Sequence, residues 1–505
     1  MDRRAHRVPG LPRPLRLAVA LPLLWLGGGC ATAGAAWRSG PAGVSAEWAL
    51  RDHLSFGRAD AAWTSMRDKK IAPADVLLRH MYRGVISLHA GEFDAGTRSM
   101  DRAWTIAGDR YTKRLSAAAV SMVTSDAALP YDPGVTEMMF IPYYGGLNWL
   151  ARNERVEAAV EARRLAALLA SDAGPKPPVG LQGVLRYVSG VMFESAGERQ
   201  DALVAYRNAA ALLGTLPGDT LLAPPDAGDV VVIIEDGFVG RPEPRTLGVW
   251  MDGDELVALT TGKKNERYLV ARTVAERRHD RTFHEPGFSR VGWLTYEVNW
   301  ASFAAPSRGS IGVGARSAGV EFATVTADVT AAVQDDFERE QPARLARAIA
   351  RAAIRYAAME AADKAFESAR KERKKNKEEG EKGGGWGRIL LGIGLLATSV
   401  TSSAIDQPDL RAWQLLPDRI TVARLRLPVG EHPIEVVRGG EVVSLGVVTV
   451  TPGGVAVLNH RWWSGALVQR ASELPDNLPR RADVVDPGDR APGLPVLSPR
   501  VRLHQ

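Results

Sequence analysis

"SGVMFESAGERQDALVAYRNAA", Ser189–Ala210, decides how the first half of this chain folds. It reads as a helix, a turn and a second helix. Gly190 puts a small residue on the first helix. Seven residues later Gly197 offers the left-handed backbone that ends it. Ala202 and Ala209 then give the second helix a small-residue face, so the two helices can approach closely. Two other stretches share this layout, "RGVISLHAGEFDAGTRSMDRAW" at Arg83–Trp104 and "GGLNWLARNERVEAAVEARRLA" at Gly145–Ala166. Aligned, Gly84, Gly146 and Gly190 occupy one position, and Gly91, Asn153 and Gly197 occupy the turn. Gly96, Ala158 and Ala202 follow, then Ala103, Leu165 and Ala209.

Three aligned units of this kind resemble the tetratricopeptide repeat, in which helix pairs stack and offer a concave surface to partners. Phe93, Trp149, Phe193 and Tyr206 stand at the large positions between stacked pairs and are the candidate protein-binding face. The units are unevenly spaced, because "SAAAVSMVTSDAALPYDPGVTEMMFIPYY" intervenes between the first and second. "FGRADAAW", Phe56–Trp63, reads as a degenerate earlier unit. The helical repeat domain is expected over residues 46–215.

The first residues carry Arg3, Arg4, Arg7, Arg13 and Arg16, then an apolar run from Leu17 to Leu26, then Gly27–Gly29 and Cys30. Charge, grease and small residues in that order are the layout of an export signal, and the run is too short to span a bilayer. The stretch resembles a bacterial lipoprotein signal, with Gly27 where that signal usually has leucine. The resemblance implies a signal peptide over 1–29, an acylated Cys30 and a flexible tether over 30–45. Cys30 is the only cysteine of the chain, so disulfides and zinc sites built on cysteine pairs are excluded. A net charge of +6 over 505 residues is modest, and nucleic-acid binding is not implied.

After Pro224-Pro225 the composition turns to β structure. "DVVVIIED" promises a buried strand over Val230–Ile234, and "LVALTT" (Leu256–Thr261), "VGWLTYEVNW" and "VEFATVTADV" are further strand candidates. A long helix is expected over Gln341–Lys375. Leu345, Ile349, Ala352, Tyr356 and Met359 form its apolar stripe, and Arg344, Arg347, Arg351 and Arg355 share one side, read as a solvated face. The expected divisions are a mixed β-rich domain with this long helix (226–370), a charged Gly-rich linker (371–388) and an uncharged apolar segment (389–405). A small antiparallel, sandwich-like β module (409–465) and a disordered Pro-rich tail (470–505) complete the chain. The fold class is thus α+β and multidomain.

The order of parts resembles a bacterial lipoprotein family of uncharacterised activity. The similar stretches are Gly91–Phe93, "DAALPY" at Asp126–Tyr131, "GDVVVIIEDG" at Gly228–Gly237, "ARAIARAAIRY" at Ala346–Tyr356 and "DLRAWQLLP" at Asp409–Pro417. The resemblance spans roughly Ala46–Arg461. It implies a place on the periplasmic face of the outer membrane, a lipid link to that membrane, and a non-enzymatic accessory role. Its partners would be other envelope proteins, near cell-wall synthesis or surface-polymer export. Asp409, Arg411, Trp413 and Pro417 read as a joint between the apolar segment and the β module.

Neither a G-x-S-x-G elbow nor an H-E-x-x-H pair occurs, and no catalytic residue, metal or cofactor is assigned. The densest group of ionisable side chains is His279, Asp280, His284 and Glu285, whose histidines do not fall on one helical face. Three readings stand: an interaction scaffold, an envelope hydrolase or metal-dependent enzyme using His279 and His284, and a glycan or wall-polymer binder stacking sugars on Trp462 and Trp463.

Overall fold

The computed structural model describes residues 36–37, 44–67, 70–111, 129–171, 175–217, 223–251, 253–277, 294–306, 312–378 and 408–463. Cys30, the His279–Glu285 group, the apolar segment 389–405 and the tail 470–505 lie outside the described residues.

The amino-terminal half consists of paired helices: α1 (Val44–Ser55), α2 (Ala59–Arg67), α3 (Val76–His89), α4 (Phe93–Tyr111), α5 (Val135–Ala151), α6 (Arg155–Ala170), α7 (Val179–Ser195) and α8 (Arg199–Leu213). The turns within the pairs α3/α4, α5/α6 and α7/α8 contain Gly91, Asn153 and Gly197, with φ of 76°, 64° and 80°. These are the positions the sequence alignment marks for left-handed backbone. The small residues act as spacers. A Cβ on Gly84 would lie 1.9 Å from Met100 Cε, and one on Gly190 would lie 2.6 Å from a ring carbon of Tyr206. Gly146 serves a different contact, against Met192 of the next pair.

Besides a short parallel pair, Ala36–Trp37 with Lys70–Ile71, the strands are β1 (Ala227–Asp236), β2 (Arg241–Met251), β3 (Leu294–Ala304), β4 (Val313–Ser317), β5 (Val320–Glu321), β6 (Ala323–Asp328), β7 (Arg419–Pro428), β8 (Gly430–Arg438), β9 (Glu441–Val450) and β10 (Val455–Trp462). One sheet runs β10-β1-β7-β6 and a second runs β9-β8-β4-β5, while β2 pairs with β3. The expected C-terminal module is therefore not self-contained. Its strands are woven with those of the middle region: β10 lies parallel to β1, β7 lies between β1 and β6, and β8 pairs with β4. Its strands are also not all antiparallel to their neighbours.

Strand β1 explains this weave. Val230, Val232 and Ile234 face the second sheet, whereas Val231 and Ile233 face the helices. All five are buried. A strand covered on both faces shows no alternation and reads as one apolar run. The described residues thus stack as helices, a first sheet and a second sheet, with one apolar core under the helices and another between the sheets.

Helices α9 (Gly253–Thr261), α10 (Lys264–Arg277) and α11 (Val329–Glu378) pack with β2 around a smaller core of Met251, Leu259, Val274 and Ile349. The strand expected at Leu256–Thr261 is helix α9. Asp254 and Glu255 in its first turn favour a helix start, and a short apolar run has no period of its own to oppose them. Helix α11 begins earlier than expected, where Asp328 Oδ1 accepts the Ala331 amide at 2.7 Å as an N-cap. It also carries the first residues of the expected linker. The arginine row is not simply a solvated face, since Arg351 is buried, Arg344 is paired with Glu340, and Arg347 is half-buried. Among the described residues no helix is long and apolar enough to cross a membrane.

Candidate functional site

The ionisable groups that stand out lie in the seam between the helices and the first sheet. Each of the pairs α3/α4, α5/α6 and α7/α8, taken below as first to third, receives one buried arginine from the carboxyl-terminal part of the chain.

At the first pair the donor is Arg411. Its guanidinium makes two bonds to the Asp409 carboxylate, of 2.8 and 2.7 Å, and reaches Asp75 at the head of α3 at 3.1 Å and the Leu129 carbonyl at 2.8 Å. Burial alone would raise Asp409; Arg411 overcomes it and holds that carboxyl below its usual range. The next residues of this segment lie along the helices. The Trp413 amide donates to Glu137 at 2.8 Å, Tyr82 donates its hydroxyl to the Ala412 carbonyl at 3.1 Å, and Arg51 reaches Gln414 at 3.3 Å. The apolar segment expected to meet Asp409, Arg411, Trp413 and Pro417 lies outside the described residues, but this stretch does make a joint of its own. Its partners are helices α1, α3 and α5, a contact that sequence reasoning assigned elsewhere.

At the second pair the donor is Arg461 of β10. It bonds Tyr144 at 3.1 Å and the Gly237 carbonyl at 3.0 Å, and it lies 3.7 Å from Glu235. Tyr143 donates to Glu235 at 3.0 Å, and His89 lies 3.9 Å from the same carboxylate. Burial raises Glu235 above its ordinary value, with Arg461 opposing. Burial, helped by Arg461, pushes His89 well down, so its ring is neutral at physiological pH. The Trp463 ring lies under this guanidinium, its centroid 3.8 Å from the guanidinium carbon, and packs edge-on against His89.

At the third pair the donor is Arg424 of β7. It grips Glu194 with bonds of 3.0 and 2.9 Å, bonds Tyr206 at 3.0 Å, and contacts Asp229. Arg426 adds a 3.0 Å contact to Asp229 from the half-exposed side. The Tyr187 ring lies tilted against that of Tyr206, 5.0 Å away, and burial pushes the Tyr187 hydroxyl up to about 12.

These groups are closed from solvent. The side chains of Arg424 and Asp229 are 1% exposed, and those of Arg461 and Glu235 are 0% exposed. A general acid or base must touch its substrate, and no substrate reaches these atoms. Buried charges in such settings fix geometry, because a displaced partner would leave an unpaired ion in a dry environment. The seam therefore ties the helices to the carboxyl-terminal part of the chain through buried ion pairs.

The four candidate repeat-face residues divide between two surroundings. Phe193 and Tyr206 are buried, and Tyr206 belongs to the Arg424 cluster. Phe93 and Trp149 are half-buried, with Arg152 stacked over the Trp149 ring. Trp462 and Trp463 are buried, one in the core between the sheets and one under Arg461, so neither offers an open stacking surface. Sequence reasoning missed Arg424 and Arg461. An arginine between apolar neighbours, as Arg424 is between Ala423 and Leu425, or the one arginine of β10 is the signal that could have found them, since such a residue is buried only when paired. Among the described residues no three histidine, cysteine or acidic side chains converge as metal ligands. No family model, curated protein or solved structure matches this chain.

Proposed function

We propose that this protein is a lipid-anchored scaffold of the cell envelope. In this reading Cys30 carries the acyl chains, and α3/α4, α5/α6 and α7/α8 are tetratricopeptide-like repeats that bind other envelope proteins. The site lies on the periplasmic face of the outer membrane, near cell-wall synthesis or surface-polymer export. The observation that carries the reading is the direction of the buried arginines. They bind α3, α5 and α7 to the chain's own carboxyl-terminal part, so partners are left with the outward faces of α4, α6 and α8 and with the half-buried end of α5 at Trp149. That surface is polar and cross-linked: Arg164 joins Asp101 across two pairs, and Arg152 joins Asp94. Fixed, polar and partly apolar surfaces of this kind suit reversible protein contacts.

Two measurements test the proposal. Radiolabelled palmitate should attach to the processed chain and be lost in Cys30→Ser. Crosslinking in intact membranes should recover a defined envelope protein with the wild type and lose it with Trp149→Ala, whose half-buried ring is not part of the deep core. An unlabelled chain, or a partner list unchanged by the substitution, would defeat the reading.

A further inference from the structure

Helices α6 and α8 stand apart over α7 and leave a groove of about 250 Å³. Phe193 lies in it with Ala166 and Ala205 beside it, and Val204, 51% exposed, forms part of its wall. The space is smaller than the roughly 300–1,000 Å³ typical of small-molecule pockets. It accepts one or two side chains.

The charges around the groove are unevenly matched. Arg163 is committed to Glu198. Asp201 lies in the first turn of α8, where the helix amino terminus favours an acid. Among the described residues Arg186 has no such complement. Its guanidinium donates to the Leu169 carbonyl at 2.9 Å, and no carboxylate stands within ion-pair reach of it among the described residues. A half-buried cation beside an apolar wall calls for a carboxylate attached to an apolar neighbour.

We infer that this groove seats an acidic, apolar segment of an envelope protein. An apolar side chain rests on Phe193 and Val204, and an Asp or Glu beside it pairs with Arg186. The inference rests on the scaffold reading and names the chemistry of its partner.

The test is selection of a random peptide library, displayed on phage, against the full detergent-solubilised chain. Enriched sequences should place Asp or Glu near Leu, Ile or Phe. A synthetic peptide from that pool should bind roughly tenfold or more weakly to Arg186→Glu. Its counterpart with Lys in place of the acid should regain binding to that variant. Val204→Lys, a change at an exposed site, should also weaken binding and keeps the test valid if Arg186→Glu misfolds. No enrichment, an enriched pool without acids, or unchanged affinity in both variants would overturn the inference. So would a wild-type dimer that Val204→Lys dissociates, since a second copy would then be the occupant. Success here with no envelope protein crosslinked in membranes would instead sink the scaffold reading.

Discussion

Two arginine–glutamate contacts flank the same turn and differ in nearly everything except chemistry. Arg424 takes Glu194 inside the seam, with the two side chains 1% and 6% exposed. Arg163 takes Glu198 on the outer face, with one nitrogen 2.6 Å from both carboxylate oxygens and side chains 52% and 24% exposed. The first contact holds remote parts of the chain together and the second joins neighbouring helices under water. The lesson is that location, and not the pairing itself, decides what an ion pair does for a fold.

The comparison can be broken most severely from the inside. Arg424→Met leaves Glu194 buried without its cation and Asp229 with Arg426 alone, and should cost about 3–5 kcal/mol in denaturant unfolding. Adding Glu194→Gln and Asp229→Asn to that variant should restore part of the loss. A smaller effect, about 1–3 kcal/mol, is expected for Gly190→Ala. The new methyl meets the Tyr206 ring, which Arg424 and Glu194 hold in place. Gly84→Ala should cost less in the same assay, because its obstacle is the flexible end of Met100.

Glu161 sharpens the contrast through pH. Burial raises it from 4.5 to about 7, and the 2.8 Å contact with Arg164 only partly opposes this. The folded chain then keeps a proton that the unfolded chain has released. Ionised Glu161 therefore penalises the fold fully above about pH 7, and the penalty disappears as the pH falls through 4.5. Glu161→Gln should be more stable than the wild type above pH 7, with the difference closing on acidification in a series of denaturant melts. The smallest effect belongs to the outer pair. Arg163→Ala should change unfolding free energy by less than about 1 kcal/mol, and added salt should shrink the difference further.

The amino-acid sequence carries the helix pairs clearly, because their determinants are local. Gly91, Asn153 and Gly197 need left-handed backbone, and Gly84 and Gly190 sit where a side chain would collide. It carries the strand of β1 for the same reason, as a run too apolar to be elsewhere than inside. It does not carry the pairing of β10 with β1, since nothing near Val455 records that its neighbour lies at Asp229. The seam was hidden in the same way. Arg411 was noticed within its segment, but Asp75 became its partner only through the fold. Leu256–Thr261 failed for a different reason, as a short apolar run fits either a strand or a helix and only its acidic start tips the choice.

The parallel placement of β10 against β1 also sets the order in which the molecule can assemble. The helices leave the ribosome first with Tyr82, Tyr144 and Tyr187 still lacking Ala412, Arg461 and Arg424, the later residues they bond. Those residues arrive hundreds of positions later, so the slow step in maturation is the closure of very long loops, as in other topologies dominated by distant contacts. Until β10 docks, a large tyrosine-rich surface stays wet, and transiently exposed surface of that kind is prone to wrong association.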